Sequence, residues 1–221
     1  MHILDLKNVH IFVFADGATL LTPNKLQHVV PDAKIIMIMR NPVRRLLSDY
    51  NFYYPYEGPD VVLSAEHLHT SVVASIAWWN RCISVLPLQT CLYDYDFSGT
   101  DMPSVPHYWK EHDPLGGVAR LRMGLYALFI RDWLAVFPKE QFLFLRLEDY
   151  KADTEHVLNE QVFPFLGYKP TVLRKRSIRN KTKYGVSVML PETEQLLTDF
   201  YRNYNVELAS LLNNSAYIWD T

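Results

Sequence analysis

The chain has 221 residues, 49% of them apolar, with 22 Lys or Arg against 24 Asp or Glu and a net charge of −2. That is enough apolar material for one sizeable core in a single domain over residues 1–221, and the near-balanced charge argues against a general polyanion binder. No run of 18 apolar residues occurs, and Met1-His-Ile-Leu-Asp-Leu-Lys7 does not read as a signal peptide, so neither a membrane span nor an export signal is expected in this chain.

In chain order, His10-Ile-Phe-Val-Phe14 reads as a strand ending at Asp16-Gly17, and Thr22-Pro-Asn-Lys25 starts a helix through about Val30. Lys34-Ile-Ile-Met-Ile-Met39 is a short apolar run, the pattern of a buried strand. It meets Arg40-Asn-Pro-Val-Arg-Arg-Leu-Leu-Ser-Asp-Tyr50, the most informative segment of the chain. Asn41 suits a helix cap and Pro42 a first turn, since proline has no N–H to leave unpaired there. A strand thus ends at an arginine and feeds a helix N-terminus, a natural place for an anion. Arg40 offers a planar, permanently charged fork, and Ser48, about two turns into the helix, a hydroxyl. The plain alternative is a strand–helix corner with solvated arginines.

Tyr53 to Asp60 reads as a loop and Val61 to Leu86 as a helix, with Trp78-Trp79 assigned to the core rather than to a sugar platform. Cys82 and Cys91 flank Leu86-Pro87, where a turn can bring them together; from spacing alone, a disulfide and two buried thiols both remain open. Tyr95 to Gly117 has no sustained period, and an irregular segment of that length is usually functional, a candidate lid, or else disordered. Met123–Phe137 is expected as an amphipathic helix, Gln141–Leu147 as a buried strand, and Asp153-Thr-Glu-His156 as the capped start of a helix toward Phe165. Arg174, Lys175, Arg176, Arg179, Lys181 and Lys183 form a local basic segment with no acid among them, and Pro191-Glu-Thr193 opens a last helix to about Leu212. Strands alternating with helices imply an α/β fold with a mainly parallel sheet flanked by helices.

The residues themselves define no catalytic centre. His107 and His112, with Glu111 and Asp113, lack the helical setting of a zinc site, so no metal is expected. Glu148-Asp149 at a strand end reads as a structural or capping pair, and nothing resembles a nucleophile elbow. Neither Gly-x-x-x-x-Gly-Lys nor Lys-x-Gly-Thr occurs, and Asp16-Gly-Ala-Thr19 lacks the lysine of a phosphate loop.

The Arg40–Tyr50 segment resembles the 3′-phosphate-binding motif, Arg-x-Pro-x-x-Arg-x-x-Ser, of sulfotransferases that use 3′-phosphoadenosine 5′-phosphosulfate (PAPS), with Arg40, Pro42, Arg45 and Ser48 in matching positions. Asp49-Tyr50 fits the Golgi carbohydrate branch; Arg44 departs from the glutamate often found there. Gly124–Phe137, Gln141–Asp149, Met189–Thr193 and Phe200–Asn205 also resemble that branch, which is similar here to the N-acetylgalactosamine 4-sulfate 6-O-sulfotransferases acting on chondroitin sulfate.

The resemblance implies a P-loop-NTPase-like sulfotransferase fold, N-terminally incomplete, with 1–221 as one sulfotransferase domain. It implies PAPS as co-substrate, bound through Arg40, Arg45 and Ser48, with Lys181 and Lys183 on a basic loop that folds over the nucleotide and faces a sulfated glycosaminoglycan. It favours a Cys82–Cys91 disulfide, closing a loop of about ten residues worth about 2.7 kcal/mol, and hence an oxidising compartment, the Golgi lumen. Asn180-Lys-Thr182 and Asn213-Asn-Ser215 are glycosylation sequons. The phosphate-loop lysine and the base fall upstream of Met1 by the same resemblance. The expected activity is sulfate transfer from PAPS to a chondroitin- or dermatan-type hydroxyl, weak or absent in this chain alone. The alternative is a non-catalytic glycan- or nucleotide-binding module. No nucleic-acid partner is expected.

Overall fold

The computed structural model describes the backbone of residues 9–11, and residues 22–53, 64–93, 120–172, 186 and 188–219. In chain order the described elements are β1 (Val9–Ile11), α1 (Thr22–Val29), β2 (Lys34–Met39), α2 (Pro42–Tyr53), α3 (Ala65–Val85) and α4 (Leu88–Tyr93). A 3-10 turn at Leu121–Gly124 precedes α5 (Tyr126–Leu134), β3 (Phe142–Arg146), α6 (Leu147–Ala152) and α7 (Thr154–Val157). A π-helical turn (Leu158–Val162) leads into α8 (Phe163–Leu166), and α9 (Pro191–Leu212) is the last long helix. The chain divides into two compact units, Met1–Arg40 with Leu128–Lys181, and Asn41–Ala127 with Thr182–Thr221.

The first unit holds a parallel sheet in the order β1-β2-β3, in register at Ile11↔Ile36, Met37↔Phe144 and Met39↔Arg146. Burial on both faces, of Ile35, Met37 and Met39 on one and Ile36 on the other, explains why β2 is a continuous apolar run rather than an alternating one. Ile35, Met37 and Met39 are fully buried on one face. On the other, Ile36 and Leu145 pack with Val157, Leu143, Phe165 and Leu166. At the amino edge, the Gln141 amide donates to the Pro31 and Ala33 carbonyls, both at 2.9 Å. There too, Lys34 Nζ donates to the Phe165 carbonyl at 2.7 Å. Asp153 caps the downstream helix as expected, accepting from the His156 N–H at 2.9 Å.

The second unit packs α2, α3 and α9 around the 3-10 turn. Ser64 caps α3 by accepting from the His67 N–H at 3.0 Å, and so sets its start at Ala65 rather than Val61. Trp79 is buried in this core, its Nε1 donating to the Tyr204 hydroxyl at 3.2 Å. The helix expected over Met123–Phe137 is broken, with Leu121–Gly124 as a 3-10 turn and α5 starting at Tyr126. The reason lies in a contact remote in sequence. A Cβ on Gly124 would stand 2.7 Å from Tyr201 Cε1, and the buried Tyr201 hydroxyl donates to the Leu121 carbonyl at 2.7 Å. Gly124→Ala is therefore expected to cost about 1–3 kcal/mol by overpacking, read as a fall in the thermal unfolding midpoint.

Cys82 and Cys91 form a disulfide that joins the end of α3 to α4. The Cys91 carbonyl accepts from Arg122 Nη1 at 2.7 Å, and the Arg122 guanidinium lies over the Trp78 ring at 5.6 Å. Cys82→Ser is expected to lower stability by about 2.7 kcal/mol, and urea unfolding of the oxidised wild type against the variant measures it. Several expectations fall outside the described residues: Asp16–Thr19, the Tyr95–Gly117 loop with His107 and His112, and the Arg174–Lys183 segment with Lys181, Lys183 and the Asn180 sequon. Asn213 of the second sequon is exposed, in the left-handed conformation that ends α9.

Candidate anion-binding site

The motif segment straddles the end of one unit and the start of the other. In the first unit, β2 ends at Met39 and Arg40 follows it, half-buried. In the second, Asn41 caps α2 as its chemistry predicts: Oδ1 accepts from the Val43 N–H at 2.9 Å and from the Arg44 N–H at 3.1 Å. Pro42 takes the first helical position. Ser48 lies half-buried on α2.

The three arginines of the motif have different surroundings. Arg44, 48% exposed, pairs with Glu194 of α9 at 2.8 Å, so the charge that departs from the expected pattern is answered within its own unit. Such an exposed pair adds little to stability. Arg45 turns inward. Nη1 pairs with Asp49 one helical turn on, and Nη2 donates to the Arg120 carbonyl at 2.8 Å. Burial opposes the Arg45 charge, but Asp49, with smaller contributions from the Tyr201 and Tyr126 hydroxyls, outweighs it and holds the pKa above the ordinary value. Burial likewise pushes the Tyr201 phenol well up. Arg45 thus ties α2 to the 3-10 turn with both terminal nitrogens engaged.

The end of α2 is held just as firmly. The buried Tyr50 hydroxyl lies 2.8 Å from His67 Nδ1, and burial lowers the His67 pKa. The Asn51 amide meets both backbone groups of Val186, donating to its carbonyl and accepting from its N–H, each at 2.8 Å. Sequence reasoning gave Asn51 no role; an amide that closes a two-bond clamp on a distant backbone leaves no local pattern. It also gave none to Arg146, the last residue of β3, where a basic residue ending a buried strand was the available signal. Glu148 and Asp149 lie in the first turn of α6, with Asp149 3.6 Å from Arg146 Nη1, which fits the structural reading of that pair. Among the described residues no group of His, Cys, Asp or Glu is arranged to hold a metal ion, and no helix is long and apolar enough to cross a membrane.

A parallel sheet whose strands alternate in sequence with helices, its central strand β2 followed directly by Arg40, defines an α/β protein. Comparison with known proteins makes that class specific. The sulfotransferase domain family matches residues 19–195, and the chain belongs to the carbohydrate sulfotransferases. It is 30% identical over 210 residues to human Carbohydrate sulfotransferase 15, covering 91% of this chain and 34% of that protein. It is 32% identical over 163 residues to Carbohydrate sulfotransferase 15 of Nototodarus sloanii, covering 69% of this chain and 91% of that protein. The mouse Heparan sulfate glucosamine 3-O-sulfotransferase 6 is 27% identical over 165 residues. The chain thus spans about a third of the length of its mammalian Carbohydrate sulfotransferase 15 relatives. The crystal structure of a sulfotransferase from Alicyclobacillus acidocaldarius shares the fold, with a TM-score of 0.59 at 22% identity over 89% of this chain and 62% of that one.

Proposed function

We propose that the chain takes part in sulfate transfer from PAPS to a hydroxyl of a chondroitin- or dermatan-type glycosaminoglycan, and that it supplies the recognition of the nucleotide's 3′-phosphate. The observation that carries this reading is the Arg40–Ser48 motif itself, directly after β2 and on a helix whose Asn41 cap and Pro42 start follow the expected pattern. Arg40 presents a charged fork and Ser48 a hydroxyl, which are donors suited to phosphate oxygens. Arg45 serves from behind, because its bonds to Asp49 and the Arg120 carbonyl fix the helix that carries Ser48. Lys181 and Lys183 are the remaining candidate nucleotide ligands by the family resemblance and lie outside the described residues.

Bound PAPS supplies the sulfuryl group and a good leaving phosphate. The work of these residues is to hold the nucleotide in line and to balance its charge, with no proton moved by Arg40, Arg45 or Ser48. The same reading places the protein in the Golgi lumen as a glycoprotein, consistent with the Cys82–Cys91 disulfide.

The 221 residues contain no Gly-x-x-x-x-Gly-Lys, so this chain by itself is expected to bind nucleotide and to transfer sulfate slowly or not at all. Incubation with labelled PAPS and chondroitin 4-sulfate, beside calorimetric titration with adenosine 3′,5′-bisphosphate, tests both parts. Nucleotide binding with little label on the glycan is the expected result. Rapid turnover would overturn the second part, and absence of nucleotide binding would overturn the first.

A further inference from the structure

Arg146 ends β3 and pairs in register with Met39, the residue directly before Arg40, so both arginines belong to the carboxyl edge of the sheet in the first unit. Residues in register on parallel strands share a face, and alternation puts Arg146 on the side of Phe142 and Phe144, whose rings stack with centroids 5.3 Å apart. The Arg146 side chain is 20% exposed. Its Nε is buried with no hydrogen-bond partner among the described residues. The ion pair it does make, Nη1 to Asp149 Oδ1, is long at 3.6 Å, and that carboxylate is 56% exposed.

A buried N–H without an acceptor is costly, and native structures seldom keep one without a use. Nε with its neighbouring Nη forms the edge of the guanidinium that takes two oxygens of a phosphate or sulfate side by side. The carboxyl ends of parallel strands are where open α/β sheets receive their ligands. Asp149 is too exposed and too distant to hold the guanidinium against a doubly charged oxyanion.

We propose that Arg146 is a second oxyanion-binding arginine of this edge, taking a phosphate or sulfate group through Nε and an adjacent Nη. The oxyanion comes either from the nucleotide or from the sulfated acceptor. The inference rests on the nucleotide reading above, and its test separates the two. Calorimetry with adenosine 3′,5′-bisphosphate, and with a sulfated chondroitin tetrasaccharide against its desulfated counterpart, is run on wild type, Arg146→Gln, Arg146→Lys, Asp149→Asn and Arg40→Ala, with thermal unfolding as the fold control.

Arg146→Gln is expected to weaken one of the two anionic ligands about tenfold or more, as the loss of a charge-assisted bond implies, with Arg146→Lys intermediate and Asp149→Asn binding at least as tightly as wild type. Loss confined to the nucleotide names the nucleotide as source, and loss confined to the sulfated tetrasaccharide names the acceptor. A purely structural Arg146–Asp149 pair predicts the opposite pattern, with Arg146→Gln and Asp149→Asn equally destabilised and both ligands bound as in wild type; that result overturns the proposal. If Arg40→Ala loses the nucleotide while folded Arg146→Gln loses neither ligand, this inference fails alone. If wild type does not bind the nucleotide, the 3′-phosphate reading fails and Arg146 stands or falls on the tetrasaccharide. Should Arg146→Gln not fold, Arg146→Lys carries the same comparison.

Discussion

Arg40→Ala is expected to weaken adenosine 3′,5′-bisphosphate binding by about 10- to 150-fold, since a hydrogen bond to a charged group contributes roughly 1.5–3 kcal/mol and each 1.4 kcal/mol is tenfold in affinity. The physical reason is that Arg40 joins a permanent charge to a planar donor fork at the point where β2 ends. Arg40→Lys keeps the charge and loses the fork, so its affinity should fall between the two. Ser48→Ala removes a neutral donor and should cost less, by roughly 0.5–1.5 kcal/mol. Calorimetric titration of the four proteins gives the order directly. An Arg40→Ala protein that binds like wild type would leave the motif without its principal ligand.

Asp49→Ala is expected to destabilise the protein by about 3 kcal/mol, or about 6–12 °C in unfolding midpoint for a chain of this size. The Arg45 side chain is 14% exposed and Asp49 27%, so the pair is sheltered but not sealed, which puts the cost at the low end of the range for breaking a buried pair. Arg45→Ala should cost about as much, because it strands Asp49 and leaves the Arg120 carbonyl without the donor now 2.8 Å away. Replacing both, as Arg45→Met with Asp49→Leu, should recover part of the loss, since the desolvation of two charges is then removed along with their attraction. Urea unfolding of the two single variants and the pair measures this coupling. Single losses below about 1 kcal/mol would mean that the pair behaves as a solvated surface bridge.

How far the sequence could be read depended on how local each cause was. β2 was legible because the five consecutive apolar residues 35–39 are the pattern of a strand buried on both faces. The last helix, expected from Pro191 to about Leu212 and found over Pro191–Leu212, was legible because the proline signal at its start acts within one turn. The break between Leu121–Gly124 and α5 was not legible. It depends on Gly124 meeting the Tyr201 ring, a contact that no window along the chain contains. Arg45 shows the same limit at the site. The motif supplies the residue type, whereas the inward turn of the guanidinium follows from Asp49 one turn on and a carbonyl at Arg120. Asp49 stands at the i, i+4 spacing on the same helix, whereas the Arg120 carbonyl is 75 residues away in sequence. For Cys82 and Cys91, spacing left the bond open, and the fold of α3 onto α4 closes it. Helices α4 and α6, each six residues long, carried too short a pattern to be expected.

The central claim is that Arg40 reads the nucleotide's 3′-phosphate, and the most direct test is a cycle of two ligands and two proteins. Adenosine 3′,5′-bisphosphate and adenosine 5′-phosphate differ only in that phosphate, and each is titrated into wild type and into Arg40→Ala. The predicted result is a preference of about tenfold or more for the bisphosphate in wild type that largely disappears in Arg40→Ala, with adenosine 5′-phosphate bound alike by both. A preference of the same size in both proteins, or none in wild type, would contradict it.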